Sequence, residues 1–189
     1  MSEALTDVLT VVCDALDVLA IPHAVTGAIV SSVYGEPVSS LDVEICLRMS
    51  PASARKLAHA LPPRFYRDEE AMAAASSSGS MANLIDVSTG LKVDLSVLPA
   101  EPYYDSVMDR RRKVPYGPGG RSFWTVSPED IILMKLLWRR DSRSQKQWEN
   151  ALSVVRAQKA RLEWKYLHVW AKRLDLSNDL ESLRDAGGV

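Results

Sequence analysis

The chain has 189 residues, 47% hydrophobic and 25% charged, which is the length and balance of one folded domain whose core needs no staples. Cys13 and Cys46 form no Cys-x-x-Cys pair, and His23, His59 and His168 are scattered, which argues against a disulfide framework and a structural zinc site. No apolar run approaches ~18 residues, so no membrane span is expected, and a net charge of -1 argues against a surface coated for nucleic acid.

Residues 3–19 read as an amphipathic helix, with Leu5, Val8, Leu9, Val12, Leu16 and Leu19 on one stripe. Pro22 stops it, and 23–26 is a short strand. Gly27 opens a helix over 28–34 that ends at Tyr34-Gly35-Glu36-Pro37. Residues 41–48 alternate as a strand, with Val43, Ile45 and Leu47 on one face and Asp42, Glu44 and Cys46 on the other. Ser50-Pro51 predicts an N-cap and first helical turn for a helix to about Ala60. A short helix follows over 68–75, and Ser76–Ser80 reads as a flexible loop.

Residues 81–87 and 91–98 form a hairpin around Ser88-Thr89-Gly90. In the return strand Val93, Leu95 and Val97 share one face, and Lys92, Asp94 and Ser96 share the other. A helical stretch follows Pro102 and leads into Arg110–Lys113, which reads either as a basic patch for RNA or nucleotide phosphates or as a solvated helix end. Residues 115–120 are expected to be a loop, and 122–126 the last strand. Ser127-Pro128-Glu129-Asp130 is a helix start with acids on the positive dipole end. From there to Leu183 the chain reads as about four helices. The five tryptophans, Trp124, Trp138, Trp148, Trp164 and Trp170, are assigned to core or groove packing rather than base stacking. The expected fold class is α+β, with a mixed core over 1–126 and a C-terminal helical region over 127–189.

Asp42 and Glu44, two apart on a strand, project from the same face and are costly to place side by side. A divalent cation would relieve the repulsion, and Mg²⁺ favours carboxylate oxygens and phosphates. Asp94 lies mid-strand in a second alternating segment, and if the two strands are neighbours three carboxylates converge. The same acids also fit a solvated polar face. Gly27, at a strand-to-helix turn, lets a phosphate approach free helix N–H groups, or simply satisfies the turn. Lys135 lies off the apolar stripe of Ile131, Met134 and Leu137, with Leu133 alongside, either as a phosphate-binding charge or as a surface lysine.

Charge is divided unevenly. Residues 1–100 hold 6 basic and 12 acidic residues, and residues 101–189 hold 17 and 12. An acidic half beside a basic half suits a carboxylate-held cation next to a polyanionic substrate, and it also occurs in inactive domains. Met1-Ser2-Glu3 carries no positive leader, so the expected compartment is the cytoplasm.

Thr26-Gly27-Ala28, Tyr34-Gly35-Glu36-Pro37, Asp42-Val43-Glu44, Lys92-Val93-Asp94, the helix carrying Lys135, Gln145-Lys146-Gln147, Tyr166-Leu167 and Trp170-Ala171 together resemble the nucleotidyltransferase-fold proteins related to AbiEii toxins of type IV toxin–antitoxin systems. The resemblance spans roughly residues 20–176. It implies a nucleotidyltransferase-like small mixed sheet flanked by helices. It implies phosphate contacts at Gly27, Ala28 and Lys135, and Mg²⁺ held by Asp42, Glu44 and Asp94. The implied reaction moves a nucleoside monophosphate from an NTP to a hydroxyl, with an RNA acceptor and an antitoxin protein as implied partners. Four positions depart from the pattern: Ala28 lacks the usual hydroxyl, Glu44 replaces Asp, Val38 replaces Arg and Asn150 replaces Asp. They motivate a rival expectation, a catalytically degenerate module that binds nucleotide or a protein partner.

Overall fold

The computed structural model describes residues 3–117 and 119–189, with the backbone alone for Asp141. In chain order the elements are α1 Glu3–Val18, β1 His23–Val25, α2 Gly27–Tyr34, β2 Asp42–Leu47, α3 Pro51–Ala60, β3 Phe65–Arg67, α4 Glu69–Ser78, β4 Met81–Asp86 and β5 Lys92–Val97. They continue as α5 Pro102–Asp109, β6 Arg112–Tyr116, β7 Arg121–Thr125, α6 Pro128–Ser142, α7 Gln145–Gln158, a 3-10 turn at Lys159–Arg161, α8 Trp164–Arg173 and α9 Ser177–Gly187. The α+β class is the observed one: a mixed sheet accompanied by helices, then a run of helices. Among the described residues no helix is long and apolar enough to cross a membrane.

The chain divides into two compact units. One runs up to Thr26 and resumes over Ser39–Thr125; the other joins Gly27–Val38 to Val126–Val189. The first unit holds a seven-stranded sheet in the order β3-β4-β5-β2-β1-β7-β6. The pairs β2–β5 and β1–β7 are parallel, and the others are antiparallel. The alternation read from the sequence sets one face of the central strands inward: Val43, Ile45, Val93, Leu95 and Leu84 are fully buried. The unit also buries Val8, Leu9, Val12 and Leu16 of α1, Leu57 of α3 and Met72 of α4. Each such side chain contributes roughly 1.5–3 kcal/mol by leaving water.

Two strands were not expected. β3 is three residues long, too short for alternation to register, and β6 takes Arg112, Lys113, Pro115 and Tyr116 from the anticipated patch and loop. Both are edge strands, where a proline without an N–H is tolerated. Arg112 and Lys113 are therefore exposed strand residues rather than a helix end. Pro118 of the expected loop, like Met1 and Ser2, lies outside the described residues.

The serine run was expected to be loop, but Ser76, Ser77 and Ser78 belong to α4. Their hydroxyls donate back to helix carbonyls, Ser76 to Ala73 O at 2.7 Å and Ser78 to Ala74 O at 3.1 Å. Asp68 caps the start, and Gly79, at φ +64°, ends the helix in the left-handed conformation.

The second unit consists of α2, α6, α7, α8 and α9 with the 3-10 turn. Helix α2 packs against α6 and α7. The Ser127 hydroxyl accepts from Asp130 N at 3.1 Å and donates to Asp130 Oδ2 at 2.6 Å, so the predicted start of α6 is a true cap. Tyr166 Oη donates to Asp130 Oδ1 at 2.6 Å, and Gln158 Nε2 donates to Tyr34 O at 2.7 Å. The apolar stripe expected on α6 is too narrow: Ile132 and Leu136 are buried alongside Ile131, Leu133 and Met134. All five tryptophans are half-buried rather than core residues, and cations lie over several of their rings, such as Arg139 over Trp148 at 4.8 Å.

Candidate active site

Strands β2 and β5 are adjacent and parallel, with Asp42 opposite Lys92 and Glu44 opposite Asp94. Paired residues on neighbouring strands leave the sheet on the same side, as do residues two apart. All four charged side chains therefore stand on the face opposite Val43, Ile45, Val93 and Leu95. With strands about 4.8 Å apart and a rise of about 3.3 Å per residue, they form a patch of roughly 5 by 7 Å at the backbone. Asp42 is exposed, Glu44 is half-buried and the Asp94 side chain is 15% exposed. Glu44 O accepts from Thr26 N at 2.9 Å, which fixes the end of β1 against the acidic strand.

The charge balance holds a feature that the sequence reading passed over. Lys92 Nζ lies 3.1 Å from Asp94 Oδ2. The hydrogen bond to Asp94 raises the Lys92 pKa above its ordinary value; burial opposes this, and the charges of Asp94, Asp42 and Glu44 add to it. Asp94 Oδ1 is buried with no hydrogen-bond partner. The alternation had already set Lys92 on the face of Asp94, but only the register shows that it also faces Asp42.

The donor chemistry suits a hard divalent cation: three carboxylates on one face, one of them with an unsatisfied buried oxygen. Among the described residues, however, no three of His, Cys, Asp and Glu are gathered closely enough to hold a metal ion. In this arrangement the Lys92 ammonium is the positive charge on Asp94.

The other expected site residues belong to the second unit. Gly27 has φ +69°, a conformation that glycine adopts without penalty, and its carbonyl accepts from Ser31 Oγ at 3.0 Å. Ala28 is buried, and its carbonyl accepts from Ser32 Oγ at 2.9 Å. Lys135 is not a surface lysine. It is 2% exposed, with Nζ 5.0 Å from the centre of the Trp138 ring.

A separate cavity of about 640 Å³ opens at the carboxyl ends of β2 and β5, lined by Arg48, Ser50, Ser53, Ser77, Leu98 and Pro99 among others. Arg48 is already engaged there, with Asp105 at 2.6 Å and Pro99 O at 3.2 Å. The acidic face remains the arrangement with reactive potential.

No family model matches the chain, and no curated protein matches its sequence. Solved structures do match. An antigenic nucleotidyltransferase-like protein from Paracoccidioides brasiliensis superposes with a TM-score of 0.57 at 18% identity, over 98% of this chain and 94% of that one. The antibiotic-resistance factor ANT(2'')-Ia superposes with a TM-score of 0.56 at 11% identity, over 96% of this chain and 99% of that one. The chain therefore has a nucleotidyltransferase-like fold. At these identities the likeness is one of fold.

Proposed function

We propose that this protein is an Mg²⁺-dependent nucleotidyltransferase that moves a nucleoside monophosphate from an NTP to an acceptor hydroxyl. One observation carries the reading. On a nucleotidyltransferase-like fold, the β2–β5 register sets Glu44 beside Asp94 with Asp42 on the same face. Asp42, Glu44 and Asp94 would hold Mg²⁺, which when bound neutralises phosphate oxygens and makes the α-phosphorus more electrophilic. The Gly27 and Ala28 amides and the Lys135 ammonium are assigned to the phosphates, residue by residue, on the strength of the resemblance. Asp94 serves as the third ligand or as the base that takes the acceptor's proton. A bond forms between the acceptor oxygen and the α-phosphorus, the bond from that phosphorus to the bridging oxygen breaks, and pyrophosphate leaves. The acceptor is an RNA or a protein, and the physiological role is that of an AbiEii-like toxin with an antitoxin partner in the cytoplasm.

Calorimetric titration with each of the four NTPs, with and without Mg²⁺, tests the reading. It expects Mg²⁺-dependent binding of at least one, and transfer of labelled nucleotide that Asp42→Ala abolishes. Absence of binding to all four overturns it. Growth arrest on expression, relieved by a neighbouring gene product, tests the toxin role.

The Lys92–Asp94 pair and the ungathered carboxylates favour a second reading, a degenerate module that keeps nucleotide or protein binding without transfer. Ala28, Val38 and Asn150 point the same way. Measured transfer that depends on Asp42 would eliminate it.

A further inference from the structure

Lys92 precedes Asp94 by two residues on β5 and faces Asp42 across the β2–β5 pairing, so its side chain leaves the sheet among the carboxylates. Its ammonium is 3.1 Å from Asp94 Oδ2, while Asp94 Oδ1 is buried and bare. A carboxylate with one oxygen on an ammonium and the other unsatisfied is only half served. The carboxylates nevertheless do not close into a three-ligand metal group among the described residues. The Lys92 side chain is 41% exposed on a flexible four-carbon stem, so it can leave Asp94 for solvent without opening the apolar core.

We infer that Lys92 is a tethered competitor of the divalent cation: its ammonium holds Asp94 until a metal ion displaces it, and so sets the metal affinity of the site. This rests on the reading of Asp42, Glu44 and Asp94 as metal ligands. To bind, the ion must break this partly exposed ion pair, which lowers its affinity about fivefold. The competitor also keeps three neighbouring carboxylates from repelling one another when no metal is present. Lys92 is a specificity residue in this scheme. It touches the ligand set and takes no part in the transfer.

The test uses Mn²⁺ as the probe, followed by electron paramagnetic resonance of free and bound ion on the full chain. Four proteins are compared: the unaltered chain, Lys92→Met, Lys92→Arg, and Lys92→Met combined with Asp94→Asn. The expected result is Mn²⁺ binding about fivefold tighter in Lys92→Met, near-unaltered binding in Lys92→Arg, and loss of the gain when Asp94 is also changed. Circular dichroism confirms that each variant folds. Mn²⁺ binding that is equal or weaker in folded Lys92→Met overturns the competitor role and leaves the metal-site reading standing. Absence of Mn²⁺ binding in both the unaltered chain and Lys92→Met, at millimolar ion, overturns that reading and the competitor role with it.

Discussion

Asp86 offers a sharp test of how the first unit holds its hairpin. Its side chain is fully buried at the end of β4, and Oδ1 accepts from Ser88 N at 3.0 Å and from Ser88 Oγ at 2.6 Å. Arg64 Nε lies 3.9 Å from Oδ2, on a side chain one-third exposed. Burial pushes the Asp86 carboxyl up, but the hydrogen bonds from Ser88 and Thr89, helped by Arg64, outweigh it and leave the pKa below its ordinary value of 3.8.

Replacing Asp86 by Ala removes two hydrogen bonds to a charged acceptor. Ser88 is exposed and can rehydrate, so each is worth about 1 kcal/mol, and Arg64 adds under about 1. The expected loss is about 2–3 kcal/mol, or roughly 5–10 °C in Tm for a chain of this size. Asp86→Asn keeps one oxygen for Ser88 and should lose about half as much. The pH dependence follows from the lowered folded-state pKa. The charged form's contribution is fully present above the ordinary unfolded-state value of 3.8 and fades as pH falls through the lower folded-state value. Urea unfolding of the unaltered chain and Asp86→Asn should therefore show a stability gap at pH 7 that narrows between about pH 4 and pH 2. A gap of equal size at both ends of that range would refute the argument.

Other consequences are as direct. Ser127→Ala removes the buried cap of α6 and its bond to Asp130, and should cost about 2 kcal/mol in thermal unfolding. Gly35→Ala would put a Cβ 2.5 Å from Ser153 Oγ and 2.9 Å from the Val154 backbone N. Backbone there cannot yield cheaply, so a loss of about 3 kcal/mol is expected, and a variant as stable as the parent would contradict the packing of α2 on α7. Cys13 is buried, and burial, with Asp17 beside it, pushes its thiol up to about 12. Native-state alkylation of Cys13 at pH 8, followed by mass spectrometry, should be slower than in guanidinium by more than about a hundredfold.

Much of the fold was legible because its signals are local. The alternation over 41–48 and 91–98 told which residues share a face, and so put Asp42 with Glu44 and Lys92 with Asp94 before any pairing was known. The caps at Ser50 and Ser127 were readable for the same reason, since a capping hydroxyl and its amide lie three residues apart. Misreadings came where composition and geometry diverge. The serine run looks like a linker, but its hydroxyls can bond within a helix, and Asp68 and Gly79 supply both ends of α4.

What a sequence determines by itself is periodicity, punctuation and the chemistry of each side chain. Those are properties of neighbours in the chain, and they were enough to nominate the acidic residues and the class of fold. That Glu44 faces Asp94 across fifty residues of chain, that Lys92 sits against the acid it accompanies, and that Lys135 is buried were decided by tertiary structure. Strand register and burial depend on which distant segments meet, and the free energy that selects those partners is spread over the whole core.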